Sequence, residues 1–223
     1  MVRDGFYYAS GMLVAAAVLA WLAGPAYATL PLLLAGFFLW FFRDPERVIP
    51  QVAGAIVSPA DGKVTDISTV HREGLPCTRI SIFLNVFDVH VNRSPISGVI
   101  TSLEYRRGRF QNAMDAASSQ HNEQNEVTVQ GEGHAVVFKQ IAGLLARRIV
   151  FHHRLGDRLE RGQRVGLIKF GSRVDVILDP GTELQVKIGD RVRGGADILA
   201  LAPAADSRQP ELAGAHAAGR EGL

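Results

Sequence analysis

An apolar stretch without charged residues opens the chain. Residues 6–42 contain no Asp, Glu, Lys or Arg, and the pair Gly24-Pro25 divides them into two runs. These runs, residues 6–22 and 27–42, are 17 and 16 residues long, slightly short of the roughly 20 that a helix needs to cross a bilayer. The pattern predicts a membrane-associating helical hairpin within residues 1–47.

Positive residues flank this hairpin on both sides. Arg3 precedes it, while Arg43 and Arg47 follow it, so both of its ends are expected on the cytoplasmic face of the inner membrane. A signal peptide and a buried soluble hairpin are the competing interpretations, although no small-residue cleavage site stands before a polar mature start. We expect the chain to be peripheral or shallowly inserted.

From residue 48 the pattern changes to short β-branched runs broken by Gly, Pro and Asp, which is typical of strands and turns. Polar residues at 109–125 predict an exposed loop with about one helical turn. Residues 48–203 therefore form one mainly β domain, and 204–223 a flexible tail. The predicted strands are 55–57, 62–70, 79–84, 89–91, 126–129, 134–140, 147–151, 164–170, 173–178 and 184–188.

A short motif occurs twice in the β domain. Residues 156–162 and 189–195 both read G-D-x-[LV]-x-x-G. A Gly-Asp pair between strands suits a turn that needs positive φ, as in the hairpins of lipoyl-carrier domains. The fold class is therefore predicted as a β-sandwich or barrel-like domain with lipoyl-like hairpins.

Charge and cysteine content narrow the function. The formal net charge of +2 is too small for a nucleic-acid partner. Cys77 is the one cysteine, so the chain forms no internal disulfide and no cysteine-rich metal site. Adjacent strand residues such as His152 and His153 point to opposite faces, so they do not chelate one ion. We expect no metal.

The candidate chemistry lies at Gly171-Ser172, between two apolar strand-like runs. A strained turn there would bring the Ser172 hydroxyl onto the Gly171 carbonyl, and the missing Cβ of Gly171 is expected to clear the approach. Attack would convert the amide to an ester. Elimination would then leave dehydroalanine, which hydrolyses to a pyruvoyl group and ammonia, so no external cofactor is required.

Several blocks in order resemble the phosphatidylserine decarboxylase proenzymes, in particular their short bacterial form. The resemblance covers about residues 42–203. It implies pyruvoyl-dependent decarboxylation of phosphatidylserine to phosphatidylethanolamine and carbon dioxide, after a cut that yields a β chain of 1–171 and an α chain of 172–223. The two chains would stay together as a heterodimer, with a higher oligomer left open. The blocks are FFRDPER, SPADGKV, FDVHVNRSPISG, NE at 125–126, IAGLLARRIV and FGSRVDV.

The resemblance also implies roles for individual residues. Ser172 would become the pyruvoyl group that forms a Schiff base with the substrate, and Gly171 would end the other chain. His90 matches a proton donor to the α carbon, and Asp61 an acidic partner in self-cleavage. How these two divide the steps stays open, because longer family members carry a second histidine where this chain has Arg93. Residues implied near the lipid headgroup are Asn125, Glu126 and Arg93.

Two alternatives remain from the sequence. The same chemistry could act on ether-linked archaetidylserine, because nothing in the sequence reads the lipid chains. A membrane-anchored lipoyl-like carrier or adaptor would instead use the paired Gly-Asp hairpins. A carrier needs an exposed lysine at a hairpin tip, whereas Lys169 lies inside an apolar run.

Overall fold

A computed structural model of the protein describes residues 2–111, 121–144, 148–169 and 171–203. Part of the predicted loop, residues 112–120, and the predicted tail, residues 204–223, lie outside these ranges. In chain order the elements are α1 (Arg3–Ala23), a 3₁₀ turn (Pro25–Ala28), α2 (Thr29–Phe41), β1 (Ala55–Val57), β2 (Gly62–Arg72), β3 (Leu75–Leu84), β4 (Val91–Arg93), β5 (Gly98–Arg106), β6 (Gln124–Gln130), β7 (Ala135–Ile141), β8 (Ile149–Phe151), β9 (Arg158–Leu159), β10 (Arg164–Ile168), β11 (Ser172–Leu178), β12 (Glu183–Leu184), β13 (Arg191–Val192) and β14 (Ile198–Leu201).

The N-terminal hairpin is present, but its helices are unequal. Helix α1 has 21 residues and α2 only 13, because the break at Gly24-Pro25 is followed by a 3₁₀ turn. By length and composition, α1 alone among the described helices could cross a membrane. The Val2 amide donates to the Phe42 carbonyl at 3.1 Å, so the two ends of the hairpin lie together.

The β domain consists of a curled eight-stranded sheet and two three-stranded sheets. The large sheet has the order β13-β2-β3-β11-β7-β6-β5-β9, and the small ones are β1-β14-β12 and β4-β10-β8. Every strand pair in the three sheets is antiparallel. The mainly β prediction with an N-terminal helix pair is confirmed. The main core is formed by Ile56, Val64, Ile80, Ile82, Val127, Phe138, Val176 and Leu178, among others.

Some predicted strands are misplaced. Strand β5 was not predicted, because Ser102, Glu104 and Arg106 face solvent and dilute its apolar pattern. Residues 124 and 125 were expected in an exposed loop because they are polar. They belong to β6, and both side chains are buried. Strand β4 begins at Val91, two residues later than expected.

An internal repeat underlies the domain and extends beyond the Gly-Asp motif. The sequence Ser-Pro-x-x-Gly occurs at 58–62 and again at 94–98. The Ser58 and Ser94 hydroxyls each donate to a carbonyl two residues later at 2.7 Å. The Ser58 carbonyl accepts from Gly195, and the Ser94 carbonyl from Gly162. Each Ser-Pro turn therefore packs on one copy of the Gly-Asp motif.

The two Ser-Pro turns also bond to each other. The Val57 amide donates to Pro95, and the Arg93 amide to Pro59, each at 2.9 Å. These reciprocal bonds relate the halves of the domain by an approximate two-fold. Asp61 in the first half thus corresponds to Ser97 in the second.

Residues 42–47 connect the hairpin to this scaffold through ion pairs whose carboxylates are largely buried. Asp44 is 8% exposed at its side chain and pairs with both Arg93 and Arg164. Arg47 pairs with Asp61 at 2.7 Å. The segment that leaves the hairpin is therefore bound to both halves of the repeat.

We expect Asp44→Asn to destabilise the domain by about 3 kcal/mol, because it leaves the buried Arg93 guanidinium without its carboxylate. Glu104→Gln is the control, since Glu104 and Arg106 form a half-exposed pair of the kind that contributes little. Denaturant unfolding in detergent measures both. Equal stability of the two variants would contradict a structural role for the Asp44 pairs.

Candidate active site

The segments 84–90 and 168–172 contact each other at both ends, close to Ser172. The first residue of β11, Ser172, is opposite Leu84 at the end of β3. The His90 carbonyl accepts a hydrogen bond from the Ile168 amide at 3.3 Å. Segments 84–90 and 168–172 therefore enclose one small region. Leu84 and Ile168 pack with Ala60, the residue before Asp61, so the Asp61 turn borders the same region.

Ser172 is fully buried, and its hydroxyl has no hydrogen-bond partner among the described residues. A buried hydroxyl without a partner is costly, on the order of 1–3 kcal/mol. Such a group is therefore retained only where the surrounding structure holds it in place. Leu84, which is opposite Ser172, belongs to an apolar cluster with Ala60 and Ile168.

Gly171 precedes this hydroxyl with φ +56°, in the left-handed region that costs other residues roughly 1–2 kcal/mol. Apart from its two chain neighbours, a Cβ built on Gly171 would meet nothing within 4 Å. The left-handed backbone is therefore one reason for a glycine at this position. That the missing Cβ also clears the approach of the Ser172 hydroxyl stays a prediction.

His90 is buried beside the hairpin. Its ring lies 4.3 Å from the ring of Phe41, and its Nδ1 is 2.9 Å from the Asp88 carbonyl. A carbonyl only accepts, so Nδ1 carries the proton and Nε2 is the free basic nitrogen. That Nε2 is buried with no partner in the described part of the chain.

Burial is the main cause that lowers the pKa of His90 from 6.5 to about 4, and the nearby Arg43 charge lowers it further. The bond to the Asp88 carbonyl opposes this change. His90 is therefore neutral at neutral pH. In this state it fits a base better than the proton donor expected from the sequence.

Asp61 accepts two hydrogen bonds and makes neither of them to His90. One oxygen accepts from the Gly194 amide at 2.8 Å and the other from Arg47 at 2.7 Å. Burial raises the pKa of Asp61 and the neighbouring Asp88 adds to this, while Gly194 and Arg47 act against it. The carboxyl group thus lies at the border of the site, held by the segment that leaves the hairpin.

The internal repeat shows that the turn at Asp61 forms without a negative charge. At the equivalent position, the Ser97 hydroxyl accepts from the Arg161 amide at 2.9 Å, as Asp61 accepts from Gly194. A serine therefore completes the same turn. The carboxylate of Asp61 is an addition that the turn geometry does not need.

The three residues implied near the headgroup lie in different places. Arg93 is 6% exposed and donates to Gly162, Asp44 and Pro45. Glu126 pairs with Arg72 and Lys139 on the outer face of the sheet. Asn125 faces inward. Their roles in substrate binding stay predictions, and the placement of Arg93 favours a structural role.

Three buried side-chain amides form a hydrogen-bonded chain from β6 to the site, and no local sequence pattern indicates it. Asn125 donates to Gln140 at 3.0 Å, and Gln140 donates to Asn92 at 2.9 Å. Asn92 is two residues from His90, and its amide approaches the Pro59 carbonyl at 3.5 Å. Asn92 lies in the block FDVHVNRSPISG, which resembles the family. Its partner Gln140 lies on β7, and the pairing of the strands brings the two together.

Comparison with known proteins shows the family of the chain. A sequence profile described as phosphatidylserine decarboxylase matches residues 34–200. A phosphatidylserine decarboxylase proenzyme of Solibacter usitatus is 55% identical over 201 residues, covering 90% of this chain and 96% of its own. Proteins of the same name from Symbiobacterium thermophilum and Nitrosomonas eutropha are each 46% identical, over 91% and 90% of this chain and 96% and 94% of their own.

The chain belongs to the phosphatidylserine decarboxylase family. It is therefore an enzyme, a decarboxylase, and its similar relatives are named as proenzymes. The alternative of a lipoyl-like carrier is wrong. Lys169 of the decarboxylase is 8% exposed and paired with Asp4 at 3.0 Å, whereas a carrier needs an exposed lysine at a hairpin tip.

A cleft of about 1010 Å³ lies elsewhere on the decarboxylase, beside Ser97, Arg158 and Arg161. It shares no residue with the region around Ser172. Neither Ser172 nor His90 lines it, so the candidate active site around Ser172 lies outside this cleft. Among the described residues, no group of three or more His, Cys, Asp or Glu could hold a metal.

The neutral state of His90 predicts a pH dependence of stability. The folded decarboxylase binds fewer protons than the unfolded chain between pH 6.5 and about 4, so its free energy of unfolding decreases as the pH falls through this window. The full loss is about 3 kcal/mol. His90→Gln should remove that part of the slope, and the exposed His71→Gln should not. Unfolding titrations from pH 7 to 4 measure this. An unchanged slope in His90→Gln would contradict the burial of a neutral imidazole.

Proposed function

We propose that the chain cuts itself between Gly171 and Ser172, and that the pyruvoyl group formed from Ser172 decarboxylates phosphatidylserine to phosphatidylethanolamine and carbon dioxide. One observation carries this proposal. The hydroxyl of Ser172 is buried without a described partner, directly after a left-handed glycine. The segment 84–90, which carries His90, contacts the segment 168–172 at both ends.

The proposed cut has three steps: formation of an ester, elimination and hydrolysis. Nε2 of His90 accepts the proton of the Ser172 hydroxyl as Oγ attacks the carbonyl carbon of Gly171, and the amide nitrogen leaves as an amine to give an ester. Loss of the Ser172 α proton with breaking of the Cβ–O bond releases the Gly171 carboxylate and leaves dehydroalanine. Water then converts the resulting imine to a ketone and ammonia. No external cofactor takes part.

The new ketone supplies an electron sink for decarboxylation in place of pyridoxal phosphate. The residues present fit such a group, since a pyruvoyl at position 172 replaces an orphaned hydroxyl in a buried, mainly apolar space. His90 borders this space and can exchange a proton with the substrate carbon. Asp61 is the acidic partner proposed for the cut.

After the cut, the α chain of 172–223 stays with the β chain of 1–171 as a heterodimer. Strand β11 begins the α chain and pairs with β3 of the β chain over its whole length and with β7 from Arg173 to Leu178. These bonds support a tight association without any covalent link.

The hairpin supports a location on the cytoplasmic side of the inner membrane. It exposes large apolar side chains such as Tyr7, Trp21 and Leu33, which a lipid surface would cover. Helix α2 is about 20 Å long, less than the roughly 30 Å of the hydrocarbon core. This supports shallow insertion. The relatives' names favour phosphatidylserine over archaetidylserine.

The purified chain should separate into two fragments in denaturing electrophoresis, and intact-mass measurement should show the smaller one starting with a pyruvoyl group and lacking a free amine. Ser172→Ala removes the attacking hydroxyl. It should stay full length and release no carbon dioxide from phosphatidylserine. A wild-type chain that stays whole and yet decarboxylates would overturn the proposed cut.

Asp61→Ser separates the carboxylate from the turn, because Ser97 shows that serine completes the same geometry. We expect Asp61→Ser to keep the turn, to lose some stability because Arg47 loses its carboxylate, and to cut itself at least about tenfold more slowly. The time course of fragment formation measures this. Ser97→Asp, which places a carboxylate in the other half of the repeat, is the matched control. Wild-type processing in Asp61→Ser would reduce Asp61 to a turn residue.

A further inference from the structure

Arg43 is fixed where the hairpin meets the segment that carries His90. It follows helix α2, and its guanidinium lies 4.3 Å from the centre of the Trp40 ring. It donates to the Trp40 carbonyl at 3.1 Å and to the Phe87 carbonyl at 2.6 Å. Phe87 belongs to the 84–90 segment of the active site. The side chain is therefore held in one orientation beside the site.

The charge of Arg43 reaches the reacting region. Its field contributes to the low pKa of His90, although burial is the larger cause. Phe41, two residues earlier, contacts the His90 ring. A group bound to Arg43 would therefore lie next to the imidazole.

Neighbouring cations are neutralised, and Arg43 is not. Arg47 pairs with Asp61, Arg93 with Asp44, and Lys169 with Asp4. Among the described residues, no carboxylate lies within 4.0 Å of the Arg43 guanidinium. Its two bonds go to neutral carbonyls and use two of five N–H donors. Three donors are left for an anion.

The surroundings of Arg43 match the level of lipid headgroups. Trp40 and Phe87 are 40% and 71% exposed, and their rings lie 6.0 Å apart. Trp side chains settle at the interface between hydrocarbon and water. A cation stacked on Trp40 would there meet phosphate and not acyl chains.

We propose that Arg43 binds the phosphodiester of the lipid substrate and so positions the serine headgroup at residue 172. The planar guanidinium fork matches two phosphate oxygens, which a lysine does not do. This inference rests on the proposed function. It also explains why hairpin and active site meet at this point, since the lipid enters from the side that the hairpin contacts.

The test compares Arg43→Gln and Arg43→Lys with Arg3→Gln. Arg3 is an exposed cation at the same end of the hairpin, so its variant controls for general attraction to an anionic surface. Decarboxylation is measured on phosphatidylserine in neutral detergent micelles and on dihexanoyl phosphatidylserine below its micelle concentration, where no surface exists.

We expect Arg43→Gln to raise KM at least about tenfold on both substrates, with kcat within about twofold of the wild type. The KM of Arg43→Lys should lie between those of Arg43→Gln and the wild type. The KM of Arg3→Gln should match that of the wild type on the soluble substrate. A defect that Arg3→Gln shares, and that disappears with the soluble substrate, would assign Arg43 to the membrane surface and overturn the inference.

Self-cleavage separates this inference from the proposed function. Complete processing of Arg43→Gln shows that the variant folds, because the cut needs an intact region around Ser172. If the wild type neither cuts nor decarboxylates, the proposed function fails. If the wild type does both and Arg43→Gln retains the wild-type KM, the phosphodiester site alone is wrong.

Discussion

The pairing of β11 on both sides is the constraint on which the site depends. Seven consecutive residues of β11 match β3, and six of them match β7, without a bulge. This pairing draws Ser172 into the interior, where its hydroxyl finds no described partner. The cost of that orphan group is small beside the many hydrogen bonds of the strand, so the sheet can hold a reactive hydroxyl that a surface turn would lose to water.

A second link joins the membrane hairpin to the same site. Residues 42–47 leave α2 and insert Asp44 and Arg47 into ion pairs with the two halves of the β domain. Phe41 packs on His90 from the hairpin side. The base of the hairpin also packs on Leu167. In the proposed function this contact brings the lipid surface close to Ser172.

The approximate two-fold repeat shows how a symmetric scaffold can carry one site. Both Ser-Pro turns make the same backbone bonds, yet only the first carries a carboxylate, at Asp61. This carboxylate pairs with Arg47 of the segment that leaves the hairpin. The second half has Ser97 there and lies beside a separate cleft. The bonds that form the turns are common to both copies, so the charge at Asp61 is an addition specific to one of them.

Local patterns in the sequence determined the apolar hairpin, the mainly β domain and the Gly171-Ser172 pair, because composition, alternation and turn residues act over a few positions. They missed β5, whose exposed residues dilute the pattern, and they put Asn125 in a loop. Only the tertiary structure decided which distant groups meet: Arg47 with Asp61, Asn92 with Gln140, and the hairpin with His90. It also showed the left-handed backbone at Gly171. Such contacts depend on strand order and burial, and no local pattern encodes them.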